Sequence, residues 1–99
     1  MSTKYNNVKL YTSLASGSVF ITKNTTRLAN MLIAHGIPFE EIDITVNIQD
    51  KEYLHTHSKA RNPRALPQVF MDGNYIGDFD TLNEANECGT FNELFDAQL

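Results

Sequence analysis

The 99-residue chain carries few side chains suited to covalent or metal chemistry: one cysteine, Cys88, and three histidines, His35, His55 and His57. The reactive form of cysteine is the thiolate, which a helix N-terminus favours and a helix C-terminus disfavours. Cys88 stands just before Gly89, at the end of a predicted helix, so it reads as a packing or half-exposed residue rather than a nucleophile. A single cysteine also excludes an internal disulfide and a multi-cysteine zinc site. His55 and His57 are two residues apart, which on a helix sends them to different faces. With no cysteine nearby, no metal site is read. Serine needs an adjacent base to act as a nucleophile. The small polar run Ser13-Leu14-Ala15-Ser16-Gly17-Ser18 has no neighbouring histidine, and Ser16 and Ser18 read as helix-capping oxygens.

The elements that must position these residues follow from periodicity. Val8-Lys9-Leu10-Tyr11-Thr12 alternates and is rich in β-formers, so it reads as a strand. Val19 to His35 places Ile21, Leu28, Met31 and Leu32 near the helical period, with Thr25 in the gap. Gly36 suits the left-handed residue that ends a helix, and Pro38 follows. Phe39 to Ile44 reads as a second strand. A strand, helix and strand in tight succession imply a parallel pair with a right-handed crossover. Asn47 to Lys59 reads as a second, weakly amphipathic helix capped by Asn47, with Asp50 placed to suit the helix dipole. Arg61-Asn62-Pro63 breaks that pattern. Gln68 to Met71 and Tyr75-Ile76 flank Asp72-Gly73-Asn74, a hairpin signal. Asp80 to Leu99 reads as helical, with capping-box patterns at Thr81–Glu84 and Thr90–Glu93 separated by Gly89. The expected order is β-α-β-α-β-β-α with a short final helix, an α/β fold with a mixed four-stranded sheet flanked by helices.

Composition narrows the function classes. Apolar residues make up 41% and charged residues 20%, a globular balance, and the length suits a single domain over residues 1–99, with a core from about 8 to 97. The formal net charge of -4 without a basic run excludes a general nucleic-acid binder and an anionic membrane surface as partners. No stretch approaches the ~18 apolar residues of a membrane span. The start, Met1 to Asn7, is polar, and Ser2 replaces the glycine that myristoylation needs. The expectation is a cytoplasmic protein.

The element order, with Leu66-Pro67-Gln68-Val69-Phe70 and Gly77-Asp78-Phe79-Asp80 in place, resembles the thioredoxin fold and its glutaredoxin branch. Glutaredoxins carry a Val-Pro segment before the third strand and a Gly-Gly-x-Asp segment before the third helix. The chain is most similar to the SH3-domain-binding glutamic-acid-rich-like protein family, glutaredoxin-like domains without the redox cysteines. Val8 to Ser13, Gly17-Ser18, Ile37-Pro38-Phe39, Asp43-Ile44, Asn62 to Phe70 and Gly77-Asp78-Phe79 carry that resemblance, which covers Val8 to about Leu94. Two departures stand out. Three residues separate Pro63 from Pro67, so the Pro-x-x-Pro spacing of some members is lost, and a glutamate-rich tail is absent.

The resemblance implies a cis peptide at Leu66-Pro67. It also places Ser16 near the position of the glutaredoxin thiolate, so the site is expected to be redox-inactive, with no catalytic residue, cofactor or metal. It further implies a vestigial glutathione groove at Ser16, Leu66, Pro67, Asp80 and Thr81. A helix N-terminus offers free N–H groups to a carboxylate there, although Asp80 or Thr81 serves as a helix cap on the simpler reading. Arg64 reads as an exposed loop residue, Phe70, Tyr75 and Phe79 as hairpin packing, and Glu40, Glu41 and Asp43 as a solvated strand edge. The expected function is a non-catalytic module acting through protein–protein contact, with an unknown protein partner. A weak glutathione binder is the alternative, and an oxidoreductase using Cys88 the least favoured one.

Overall fold

The structure, a computed structural model, describes residues 5–15, 17–62 and 65–99. The readings of Ser16 and Arg64 therefore lie outside the described residues. The chain forms β1 (Val8–Thr12), α1 (Val19–Ala34), β2 (Glu40–Asp43), α2 (Ile48–His57), β3 (Gln68–Met71), β4 (Asn74–Asp78), α3 (Phe79–Cys88) and α4 (Phe91–Asp96). The sheet order is β2-β1-β3-β4. β1 and β2 run parallel, while β3 is antiparallel to β1 and to β4. This is the expected mixed sheet with flanking helices, and its α/β architecture is thioredoxin-like.

The β3–β4 hairpin turns through Asp72 (φ 52°) and Gly73 (φ 83°). Two successive positive φ values make the tight turn that matches strand twist, which Asp-Gly tolerates and bulky residues do not. Asn47 caps α2 as expected, its side-chain oxygen accepting from Gln49 N–H at 2.8 Å. Ser18 caps α1, accepting from Ile21 N–H at 3.3 Å.

Neither predicted capping box forms. α3 starts at Phe79, and the cap is Asp78, whose carboxylate accepts from Thr81 N–H at 2.9 Å. Thr81 is thus the third helical residue, and neither it nor Asp80 is the cap. The cause is the exit of β4. A Cβ on Gly77 would stand 3.2 Å from Thr81 Cγ2, so the missing side chain lets strand and helix approach closely and leaves Asp78 at the junction. Thr90 precedes α4 without a side-chain cap, and its hydroxyl donates back to the Ala85 carbonyl at 3.4 Å. β2 is shorter than predicted: Phe39 and Ile44 fall outside it, although the Ile44 N–H still bonds to the Thr12 carbonyl of β1 at 3.0 Å and Ile44 joins a core cluster.

The sheet's two faces carry separate cores. Val8 and Leu10 of β1, Leu28 and Leu32 of α1, and Val69, Met71 and Leu82 join Phe91 and Phe95 in one cluster. Tyr11, Ile44, Leu54 and Phe70 form the other, beneath α2. Thr25, in the gap of the α1 apolar stripe, is buried because its hydroxyl pairs with that of Thr12 at 2.7 Å. Each hydroxyl satisfies the other away from water.

Candidate functional site

Four loops gather at one end of the sheet. β1 and β2 are parallel and both end there, β3 begins there, and β4 ends there before α3. Asp43 ties the first two loops together. Its carboxylate accepts from Leu14 N–H at 3.4 Å, Thr45 N–H at 3.0 Å and the Thr45 hydroxyl at 2.6 Å. The Thr45 hydrogen bonds, supported by the Leu14 amide, hold the Asp43 carboxyl below its ordinary range. Asp43, at the end of edge strand β2, thereby also clamps the β2–α2 turn.

Between these loops lies an open groove of about 400 Å³, lined by Ser13, Ile21, Ile44, Thr45, Ile48, Lys51 and Leu66. Its floor is positioned by Gln68, which is fully buried at the start of β3. The Gln68 side-chain amide donates to the Ala65 carbonyl at 2.6 Å and its oxygen accepts from the Ser58 hydroxyl at 2.6 Å. One side chain thus joins the end of α2 to the loop that presents Leu66. The Leu66–Pro67 peptide is cis, as expected.

The predicted site residues separate in space. Leu66 lines the groove, and Pro67 is buried behind it. Asp80 and Thr81 are exposed on the first turn of α3 and do not line the groove. The Thr81 N–H is already occupied by Asp78. Asp78 stands at the second glycine position of the glutaredoxin Gly-Gly-x-Asp segment, so this helix start satisfies one of its own donors.

The chemistry-bearing side chains lie elsewhere. Cys88 is exposed at the far end of α3, ~14 Å along the helix from its N-terminus. His35 Nε2 hydrogen-bonds Asn86 Oδ1 at 2.8 Å, and its ring stacks on Phe91 with centroids 4.3 Å apart. His57 stacks on Tyr53 at 4.1 Å. Among the described residues, no group of three or more His, Cys, Asp or Glu side chains is placed to hold a metal ion. No helix among them is long and apolar enough to cross a membrane.

What surrounds the groove is apolar and exposed. Phe20 is 80% and Val46 82% exposed, and Leu14, Val19 and Ile48 are also exposed. They sit on the β1–α1 loop, the first turn of α1, the β2–α2 turn and the start of α2, which are the segments that supply Ser13, Ile21, Thr45 and Ile48 to the groove. The sequence signal was present but unread: Val19-Phe20 at a helix start and Val46 and Ile48 on either side of Asn47 fall outside the apolar stripes.

Residues 6–97 match the profile of the family described as SH3-binding, glutamic acid-rich protein. An uncharacterized Saccharomyces cerevisiae protein, YFR016C, is 36% identical over 88 residues, a match that covers 88% of this chain and 7% of that protein. Among solved structures, the Candida albicans actin interacting protein Aip5 is similar with a TM-score of 0.77 and 30% identity, over 90% of this chain and 87% of that one. A buckwheat glutaredoxin in complex with glutathione superposes with a TM-score of 0.61 at 18% identity, covering 93% of this chain and 78% of that one, and at that identity the likeness concerns the fold. The chain belongs to the SH3-binding, glutamic acid-rich protein family, on a glutaredoxin-like thioredoxin fold.

Proposed function

We propose that this chain is a non-catalytic interaction module that docks a protein partner on the apolar rim and groove at the α1 end of the sheet. The observation that carries the reading is the exposed set Leu14, Val19, Phe20, Val46 and Ile48 around a groove lined by Ile21, Ile44 and Leu66. Large apolar side chains gathered on a small protein mark a contact surface. Lys51 is the one charged residue among the described lining residues, so the occupant we propose is a partner segment presenting a bulky apolar side chain next to a carboxylate. Aromatic anchors such as Phe20 commonly dominate such interfaces.

Likeness to the actin interacting protein Aip5 makes actin the first partner to test. Binding of the labelled chain to monomeric actin, followed by fluorescence anisotropy, should weaken about tenfold or more in Phe20→Asp and Val46→Asp, each with an unaltered circular dichroism spectrum. Actin binding that ignores both substitutions would sink the proposed surface. No binding by the unsubstituted chain would sink actin as the partner. The module is redox-inactive on this reading, so a glutathione-coupled disulfide assay should stay at the buffer blank. Turnover abolished by Cys88→Ala would overturn that.

Leu66 beside Lys51 in the groove favours a second, weaker reading, in which glutathione binds without a covalent anchor. Contacts of this kind are each worth ~0.3–1 kcal/mol, which after the cost of association leaves a dissociation constant in about the millimolar range. Amide shifts on titration should saturate at Lys51, Leu66 and Gln68. Shifts that also include Asp80 and Thr81 would extend the site to the start of α3, and saturating shifts confined to other segments would overturn this second reading.

A further inference from the structure

We infer that Gln68 is the positioning residue of the docking groove. It is fully buried and does not line the groove, yet its side chain fixes two of the walls that would grip a partner. This rests on the docking reading above and adds the residue that controls it.

The walls come from separate segments. Ser13 and Ile21 belong to the β1–α1 loop and α1, Ile44 and Thr45 to the β2–α2 turn, Ile48 and Lys51 to α2, and Leu66 to the loop before β3. Two side chains cross between them. Asp43 joins the first two through Leu14 and Thr45, by hydrogen bonds exposed to solvent. Gln68 joins the other two. Its backbone stands between Tyr11 of β1 and Asp78 of β4, so it is fixed inside the sheet. From there its amide N–H donates to the carbonyl of Ala65, the neighbour of Leu66, at 2.6 Å. Its oxygen accepts at 2.6 Å from the hydroxyl of Ser58, the residue that ends α2. The Ser58 oxygen accepts in turn from Ala60 N–H at 3.1 Å.

Burial decides which of the two links dominates. A solvent-exposed hydrogen bond is replaced by one to water at little net cost, whereas a buried amide that loses its partner carries the desolvation penalty. The loop and the end of α2 therefore cannot drift apart without breaking a bond to a fully buried amide. α2 has little else to hold it, because Leu54 is its one buried side chain among the described residues. Ile48 and Lys51 thus ride on a helix tied by one end of the Gln68 amide, and Leu66 on a loop tied by the other. A groove formed in advance binds without the cost of ordering its walls.

Gln68→Met keeps the side-chain length and removes both bonds. Its binding to monomeric actin should weaken about five- to tenfold, through slower association with nearly unchanged dissociation, because fewer free molecules have the groove formed. Ser58→Ala should weaken binding less, and Ser58→Thr, which keeps the hydroxyl, should restore it. Val8→Ala truncates a buried side chain at the remote end of β1, and should lower stability while leaving both rates alone. In the free chain, Gln68→Met should speed amide exchange at Ala65 and merge the Leu66 methyl resonances. Those spectra need no partner, so they still decide whether Gln68 sets the groove if actin does not bind. Unchanged exchange and methyl dispersion in Gln68→Met, or an equal loss of affinity in Val8→Ala, would overturn the inference. Loosened spectra with unaltered actin affinity would overturn it too, while leaving the docking surface in place. Normal binding by Phe20→Asp would remove the surface and the positioning role with it. If Gln68→Met does not fold, Ser58→Ala against Ser58→Thr decides the matter.

Discussion

On the α1 and α3 side of the sheet, twelve buried side chains among the described residues form one apolar cluster, whereas the α2 side holds four. α1 buries Thr25, Leu28 and Leu32, and α3 buries Leu82 and Ala85, while α2 buries Leu54 alone. The reason is where α2 stands. Ile48 and Lys51 line the groove, while Gln49, Asp50 and Tyr53 line a second cavity of about 430 Å³ on the other flank of α2. A helix bordered by open space on both flanks needs only a narrow strip of contact beneath it. The thick side stabilises the fold, and the thin side leaves the surfaces on which a partner or ligand can act.

Core truncations test that division most strongly. Leu28→Ala on the thick side should cost about 3–5 kcal/mol, because the void is walled by packed neighbours and cannot close. Leu54→Ala removes an equally buried side chain, but the thin α2 layer can settle, so its cost should fall nearer ~2 kcal/mol. Amide exchange in α2 should rise more than in α1. Equal losses in chemical denaturation, with uniform exchange, would break the comparison.

The Thr12–Thr25 pair tests whether the thick side tolerates polarity only in matched form. Thr25→Val leaves the Thr12 hydroxyl buried without that partner, at a cost of ~1–3 kcal/mol. The double variant Thr12→Val with Thr25→Val should regain part of that loss. A double variant as unstable as the sum of the singles would mean that the hydroxyls are not acting on each other.

The same division explains what was legible in the sequence. Elements of the thick side announced themselves: the alternation of Val8–Thr12, the stripe of α1, its end at Gly36 and the Asp-Gly turn all follow local rules. The cis Leu66–Pro67 bond came from the family resemblance rather than from periodicity. The start of α3 was misread because Thr81 and Glu84 fit a local capping pattern, while the close approach at Gly77 that makes Asp78 the cap is a tertiary fact. Gln68 was read only as a strand residue, since its bonds to Ser58 and Ala65 depend on how the loop folds back. The exposed apolar rim was in view as Val19, Phe20, Val46 and Ile48, but apolar residues outside a stripe carry no periodic signal.

The α3 start offers a smaller test at the functional end. Asp78→Ala should cost ~1 kcal/mol through loss of the cap. Asp80→Ala removes only a first-turn charge and should cost no more than ~0.3–1 kcal/mol. Thermal denaturation of the two variants side by side checks the order, and a larger loss in Asp80→Ala would return the cap to the residue first expected.

The smallest effect belongs to Asp43, at the rim of the groove. Its carboxyl is held below the ordinary value of 3.8 by Thr45 and, more weakly, by Leu14. A depressed folded pKa means that the native state favours the ionised form. The associated stability is therefore present above the unfolded value and is lost as pH falls through the lower, folded one. The hydrogen bonds of half-buried Asp43 are exposed, so solvent screens the gain and little changes near neutrality. The effect should appear instead as local opening. A carboxyl-carbon titration should place the Asp43 midpoint below 3.8, and Asp43→Ala should speed amide exchange at Leu14 and Thr45 while leaving α1 protected. It should also flatten the acid limb of the stability profile. A midpoint at or above the ordinary value, or faster exchange spread through α1, would show that the loops at this end are held by the thick core rather than by their own clamp.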